Sequence, residues 1–161
     1  MSLSSSLSSD HQLARLLQIG MVLEEVVEAR AYKHYESLDA TDIDEDVQEL
    51  LSEAAAESAE HRKRLEDLVD ELDAEPVGYE EIERLVADRY EADSDTDGVL
   101  YDQLCNEETA YKFYDDLLEA IDHSESRFSI DRERLRSILE GIREEEKEGA
   151  EEVTELMEAR A

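Results

Sequence analysis

The 161-residue sequence has few residues that cross-link a chain or interrupt a helix: 1 cysteine, 1 proline and 5 glycines. Because Cys105 is the only cysteine, no disulfide can form within the chain, and a reducing compartment would suit it. No run of about 18 apolar residues occurs, which argues against a membrane-spanning helix and against a membrane partner. The length suits one domain with a real core.

Basic residues are also scarce, since 16 Lys and Arg stand against 47 Asp and Glu, for a formal net charge of -31. The mutual repulsion disfavours compaction in dilute salt, favours solubility and argues against nucleic acid as a partner. Because 40% of the residues are apolar and periodically spaced, we interpret the acidic residues as a coat on a folded body. Counterions of a salt-rich cytoplasm would screen this coat, so we expect a halophilic protein.

The first nine positions, residues 1–9, are rich in serine and lack the basic and apolar regions of a secretory signal. We expect this segment to be disordered and the protein to be cytoplasmic. Residues 10–161 are expected to form one helical domain.

Apolar residues recur every three or four positions over four stretches, which predicts four long helices. The predicted helices cover residues 10–38, 46–72, 98–121 and 130–159. Asp10 is the predicted N-cap of the first helix. After Pro76, a short additional helix over residues 79–90 is predicted within a long crossover.

The two halves of the chain repeat each other. The stretch Glu28–Leu38 returns as Glu107–Leu117, each with an acid followed by Ala after three positions, Tyr after seven and Leu after ten. The apolar seams of the second and fourth helices match at a constant separation of 88 residues (58 to 146, 61 to 149). The repeat predicts two duplicated helical hairpins joined by a long crossover, an all-α four-helix bundle.

Polar residues interrupt all four apolar seams at a corresponding depth. The interruptions are Glu28, Ser58, His61, Glu107, Glu146 and Gly149. An ionised carboxylate in a dry interior is disfavoured by several kcal/mol unless it is paired, and neighbouring acids raise each other's pKa. A divalent or trivalent cation removes both penalties, so the pattern favours a metal site.

The arrangement resembles the ferritin-like superfamily, and its rubrerythrin branch in particular, over nearly the whole chain. In that fold, two helices each provide a Glu and the other two each provide a Glu-x-x-His to two metal ions in the bundle core. The most specific parts of the resemblance are Glu28-x-x-Ala31 and Glu107-x-x-Ala110, each followed by aromatic residues. The resemblance implies a ferritin-like four-helix bundle.

The same resemblance implies a role for individual residues. Glu28 and Glu107 match terminal carboxylate ligands. His61 matches the histidine of the first Glu-x-x-His motif, and Glu146 matches the glutamate of the second.

Two positions depart from the pattern of the family. Ser58 stands where the family has its first bridging Glu, and Gly149 stands where it has its second His. Glu57 and Glu145 lie immediately beside the seams of their helices and could partly substitute as ligands. A single metal ion, a weakened pair of ions and a lost site are therefore the alternatives.

The resemblance also implies a cofactor and a function. Iron, and alternatively manganese or zinc, suits a mixture of carboxylate and imidazole ligands. The implied chemistry is iron oxidation and handling, or peroxide detoxification, with Tyr32 or Tyr111 giving hydrogen bonds around the site. The sequence has no C-x-x-C pair for rubredoxin-type electron delivery. Related bundles pair with copies of themselves, so we expect a homo-oligomer, a dimer.

Two other functions fit the sequence. A bundle that kept the fold but lost the metal would serve as a structural or interaction protein, and Ser58 and Gly149 favour this alternative. The stretch Asp93–Gly98 matches the opening of an EF-hand calcium loop, but the twelfth position is Leu104 instead of Glu. A solvated acidic turn that caps a helix is the simpler interpretation of that stretch.

The remaining polar candidates are interpreted as packing or surface residues. Glu24 faces inward one turn before Glu28, but its counterpart in the repeat is Gln103, so we interpret the pair as a polar end of the bundle. The candidates that no sequence motif supports as ligands are His11, His34, Cys105 and His123.

Overall fold

The computed structural model of the chain describes residues 7–37, 45–75, 78, 80 and 96–160. These residues form four helices and no strand: α1 (Asp10–Ser37), α2 (Glu45–Glu71), α3 (Thr96–His123) and α4 (Arg132–Ala159). The predicted all-α fold with four long helices is confirmed. Among the described residues, no helix combines the length and the apolar character needed to cross a membrane.

Some sequence predictions lie largely outside the described residues. They concern the short helix over residues 79–90, the serine-rich start of the chain and the acidic stretch Asp93–Gly98, of which only the part from Thr96 onwards is described, as the start of α3. Leu7, in the segment before α1, is buried, and its carbonyl oxygen accepts a hydrogen bond from Ser124 Oγ at 2.6 Å. The chain just before α1 is therefore packed against the end of α3.

The start of α1 differs from the prediction by one residue. Ser9 is the N-cap, because its Oγ accepts a hydrogen bond from the backbone N–H of Gln12 at 3.2 Å. The Asp10 carboxylate, predicted as the cap, instead accepts hydrogen bonds from the backbone N–H of Asp73 at 3.0 Å and of Ser129 at 3.1 Å. Asp10 thereby connects the start of α1 to the ends of two other helices.

These contacts also define the directions of the helices. α1 packs against α2 and α3 packs against α4, while α1 also contacts α3 and α2 also contacts α4. Asp73 follows α2 and Ser129 follows α3, and both contact the first residue of α1. At the other end of α1, His34 lies 3.1 Å from Asp102, near the start of α3. α2 and α3 therefore run in the same direction, antiparallel to α1, and the chain between them joins opposite ends of the bundle.

The apolar core consists of two clusters separated by a polar layer. On α1 the larger cluster extends to Met21 and the smaller one contains Ala31, so Glu24 lies between them. The other helices also provide buried polar residues near this depth, among them His61 on α2, Glu107 on α3 and Glu146 on α4. The polar layer therefore lies in the middle of the bundle, where all four helices contribute.

Candidate metal centre

Three side chains of the polar layer converge on one point. Glu24, His61 and Glu146 are 0%, 1% and 2% exposed, and one donor atom from each lies within 4.8 Å of the other two. His61 Nδ1 lies 3.3 Å from Glu24 Oε1 and 3.0 Å from Glu146 Oε1. We call these three residues the triad. Two carboxylates and an imidazole are a donor set that suits iron, manganese and zinc.

The other ring nitrogen of His61 faces a second pair of carboxylates. Nε2 lies 2.6 Å from Glu145 Oε2 and 3.8 Å from Glu57 Oε1. Arg64 Nη1 also donates to Glu145 Oε2, at 2.9 Å, and holds that carboxylate in place. A carboxylate that accepts the proton of one ring nitrogen orients the other nitrogen towards a metal. Glu145 therefore orients the His61 ring so that Nδ1 faces the carboxylates of Glu24 and Glu146.

Glu107 lies beside the triad, against the backbone of α4. Gln103 Nε2 donates to Glu107 Oε1 at 2.9 Å, and Glu107 shares a hydrogen bond with Glu146. A Cβ atom at Gly149 would lie 2.6 Å from Glu107 Oε2, which is closer than real Cβ contacts. The Glu107 carboxylate thus fills the space of a side chain at position 149, and any such side chain would displace the end of Glu107.

A buried phenol holds the carboxylate of Glu24. The Tyr114 hydroxyl donates to Glu24 Oε1 at 2.6 Å, and Tyr114 is fully buried. Burial, together with the charge of Glu24, raises the pKa of Tyr114 well above its usual value, so the hydroxyl keeps its proton. Tyr114 therefore acts as a permanent hydrogen-bond donor to one member of the triad.

Besides Glu25 Oε2, two buried carboxylate oxygens have no hydrogen-bond partner among the residues that the structure describes. They are Glu24 Oε2 and Glu107 Oε2. Buried polar atoms are nearly always satisfied, by protein, by water or by an ion. Two unsatisfied anionic oxygens next to a buried imidazole fit the chemistry of a bound cation.

The electrostatics of the layer favour bound protons or a bound cation. Burial raises the pKa of Glu146 far above its usual range, and the contacts with Glu107 and Glu24 raise it further. Burial also raises the pKa of Glu107, and it raises the pKa of Glu57 to about 7. Burial alone would lower the pKa of His61, but the hydrogen bonds and charges of the surrounding carboxylates outweigh it and raise the pKa. When no cation is bound, protons held by these side chains offset the negative charge of the layer.

The structure brings together some of the residues predicted from sequence. His61, Glu107 and Glu146 lie in the buried layer. Glu57 and Glu145, 38% and 36% exposed, lie on the outer side of His61. Whether these residues bind metal stays a prediction.

Glu28 does not lie in the buried cluster. Its carboxylate is 30% exposed and accepts a hydrogen bond from Arg62 Nη1 at 2.5 Å, so it is neutralised by a cationic side chain of α2. The two tyrosines predicted to support the site also lie away from the triad contacts. Tyr32 is 58% exposed, and Tyr111 lines a surface groove together with Lys147.

Sequence reasoning did not recognise Glu24 and Tyr114 as part of the centre. Glu24 was interpreted as part of a polar bundle end because its counterpart is Gln103. The structure buries Glu24 and Gln103 completely. Glu24 is a member of the triad, and Gln103 donates a hydrogen bond to Glu107. The useful signal was that Glu24 and Glu28 lie one turn apart on the same face, so either acid could enter the core.

Comparison with known proteins gives no relative: no protein family, no curated protein and no solved structure matches the chain. The resemblance to ferritin-like proteins therefore rests on the sequence motifs of this chain alone.

Proposed function

We propose that the protein is a ferritin-like, rubrerythrin-like metal-binding protein that acts in iron oxidation and handling or in peroxide detoxification in a salt-rich cytoplasm. The observation that carries the proposal is the buried triad of Glu24, His61 and Glu146, with the unsatisfied oxygen of Glu107 beside it. The order of the helices supports it, since a bundle with one connection between opposite ends is the ferritin-like topology.

The charge of the layer gives the physical reason for a cation. Glu24, Glu107 and Glu146 are all at most 5% exposed. Ionised carboxylates in such surroundings repel one another and lose their hydration, each at a penalty of several kcal/mol. A bound cation offsets both effects and satisfies the free oxygens of Glu24 and Glu107.

The side chains around the triad have defined roles in this proposal. Glu145 orients His61, Tyr114 holds Glu24, and Gln103 holds Glu107. Their hydrogen bonds fix the donor atoms before a cation arrives, and such supporting partners strengthen metal affinity. The two apolar clusters on either side keep bulk water away from the layer. Iron bound here would supply a redox-active centre for reaction with oxygen or peroxide.

Metal analysis of matched variants tests the proposal. The chain is purified in molar potassium chloride without chelator, and its iron, manganese and zinc contents and its ferrous-oxidation rate are measured. We expect wild type and Glu28→Gln to retain metal, because Glu28 lies outside the cluster. Glu24→Gln, one turn earlier on the same helix, should lose it. Equal metal contents in the two variants, or no metal in wild type, would contradict the proposal.

A second function, a structural or interaction bundle without metal, is favoured by one observation. Glu107 and Glu146 share a hydrogen bond, so a single proton can hold this buried pair together without any cation. In that case Glu107→Gln would leave the free energy of unfolding unchanged or raise it, because the neutral amide removes a buried negative charge and its oxygen can still accept the proton of Glu146. The metal-binding function predicts instead that Glu107→Gln lowers the stability gained by adding metal.

A further inference from the structure

The polar layer is built from a duplicated pattern, but its two halves are not equivalent. The repeat relates Glu28 to Glu107, and the constant separation of 88 residues relates Arg62 to Ala150 (62 to 150). Two complete copies of the pattern would offer ligands for two cations. Each position of the first copy can therefore be compared with its counterpart in the second.

The first copy already contains a positive charge. Arg62 Nη1 donates to Glu28 Oε2 at 2.5 Å, with both side chains about one-third exposed (29% and 30%). Glu107, the counterpart of Glu28, has Gln103 and Glu146 as its hydrogen-bond partners, and Ala150 provides no charge. The guanidinium group thus neutralises the Glu28 carboxylate, whereas the equivalent carboxylate is left to a proton or a cation.

Two further ligands of a complete double set are missing. Ser58 is buried and uncharged at the position where the second copy has Glu146. Gly149 stands where the first copy has His61, and its side-chain space is filled by the Glu107 carboxylate. A second ion would therefore lack both an imidazole and a carboxylate.

The remaining donors fit one ion in position and in charge. His61 Nδ1 lies 3.3 Å from Glu24 Oε1 and 3.0 Å from Glu146 Oε1, close to the spacing of about 3.1 Å that two ligands at right angles, each about 2.2 Å from one ion, would have. Glu24, Glu107 and Glu146 carry three negative charges when ionised. One trivalent ion balances them, and one divalent ion leaves a single negative charge, but two divalent ions would exceed them.

We infer that the centre holds a single metal ion and that Arg62 takes the place of a second ion beside Glu28. This inference rests on the proposed metal-binding function and restricts it. The ion is bound by the triad together with Glu107. The guanidinium group of Arg62 permanently neutralises the Glu28 carboxylate.

Counting the bound ions tests this inference. Wild type is titrated with Mn²⁺ in molar potassium chloride, which screens the acidic surface, and free Mn²⁺ is followed by electron paramagnetic resonance. The Glu24→Gln variant measures the surface binding that remains. We expect one tight ion per chain above that background. Two tight ions would overturn the inference and leave the metal-binding function standing, whereas no tight ion would overturn both.

Restoring the missing ligands gives a second test. The three substitutions Ser58→Glu, Arg62→Ala and Gly149→His are combined in one variant. A side chain at position 149 can be accommodated, because the atoms that crowd this position belong to the flexible end of Glu107. A folded triple variant should bind two ions, with folding checked by circular dichroism. A folded variant that still binds one ion would show that these three positions do not set the number of ions, against the inference. The wild-type count stands even if the variant does not fold.

Discussion

The two hairpins of this bundle repeat the same sequence pattern but place their acids differently. In the hairpin of α1 and α2, Glu24 is buried and Glu28 is 30% exposed beside Arg62. In the hairpin of α3 and α4, the counterpart of Glu28 is the buried one, and Gln103 supports it. The first hairpin thus gives a carboxylate and an imidazole to the centre, and the second gives two carboxylates.

The difference shows that register alone does not decide which acid is buried. On the first helix of each hairpin, two polar residues lie one turn apart on the same face. They are Glu24 and Glu28 on α1, and Gln103 and Glu107 on α3. Arg62 on the neighbouring helix pairs with the partly exposed Glu28, whereas the equivalent position in the second hairpin is Ala150 and Glu107 is buried. The asymmetry leaves three buried donors around one point with Glu107 beside them, and the following experiments test whether each hairpin contributes as described.

Removing the imidazole of the first hairpin should have the largest effect. His61→Ala deletes the only nitrogen donor of the triad, so we expect metal affinity to fall by more than about 100-fold, beyond the loss typical of supporting residues. Competition against a chelator of known affinity measures the change. His123→Ala, at the exposed end of α3, is the control and should keep the wild-type affinity. Unchanged affinity in His61→Ala would exclude the triad as the binding site.

Weakening the contact between the two hairpins at His61 Nε2 should have the next largest effect. Glu145→Gln removes the charge that orients the ring, and we expect metal affinity to fall by about 10-fold to 100-fold. The neighbouring variant Glu144→Gln is the control, because that side chain is 54% exposed and lies beside Arg143 instead of His61. Similar titration curves for the two variants would show that Glu145 does not orient the ligand.

The stability of the metal-free protein should depend on pH in the direction set by the buried acids. Burial raises the pKa of Glu107 and Glu146 above 4.5, and it raises the pKa of Glu57 from 4.5 to about 7. A raised pKa in the folded state stabilises the fold fully below pH 4.5, and this contribution is lost as pH rises through the folded-state pKa. The melting temperature without metal should therefore fall as the pH rises from about 4.5 past 7.

Metal should reverse this trend, because a cation displaces the protons and binds more tightly as pH rises. Glu57→Gln should flatten the metal-free curve near pH 7, since it removes the group that titrates there. Melting curves recorded by circular dichroism with and without Mn²⁺ measure both effects. A metal-free melting temperature that rises over this range would contradict the assignment of the buried acids.

Two glycines of α4 allow a smaller and more local comparison. A Cβ atom at Gly141 would meet nothing within 4 Å, whereas one at Gly149 would meet the Glu107 carboxylate. Alanine in a helix is favoured over glycine by about 1 kcal/mol, so Gly141→Ala should raise the free energy of unfolding by up to that amount. Gly149→Ala should gain less or lose stability, because it displaces Glu107. Equal gains in denaturant unfolding would show that Glu107 does not need this space.

Periodicity was enough to predict the four helices and the depth of the polar layer. Apolar residues at every third or fourth position define one face of each helix, and a polar residue on that face marks the layer. His61 and Glu146 follow from the sharp seams of α2 and α4, and Glu107 follows from the repeat of the Glu28–Leu38 stretch.

The choice between Glu24 and Glu28 could not be made from periodicity. Both acids lie on the inner side of α1, and the choice depends on Arg62, which lies beside the seam of another helix. The packing of Glu107 against Gly149 is likewise a contact between helices. Sequence patterns within one helix carry no information on such contacts, so the empty position at Gly149 was recognised but not the carboxylate that fills it.

Anomalous scattering from a crystal grown with Mn²⁺ locates a metal ion bound to the triad, without relying on activity. We expect one peak in the anomalous map, about 2.0–2.2 Å from His61 Nδ1 and from a carboxylate oxygen of each triad glutamate. We expect no peak at Glu28, because its carboxylate is paired with Arg62. A triad without a peak, or a peak centred on Glu28, would show that the triad is not the metal site.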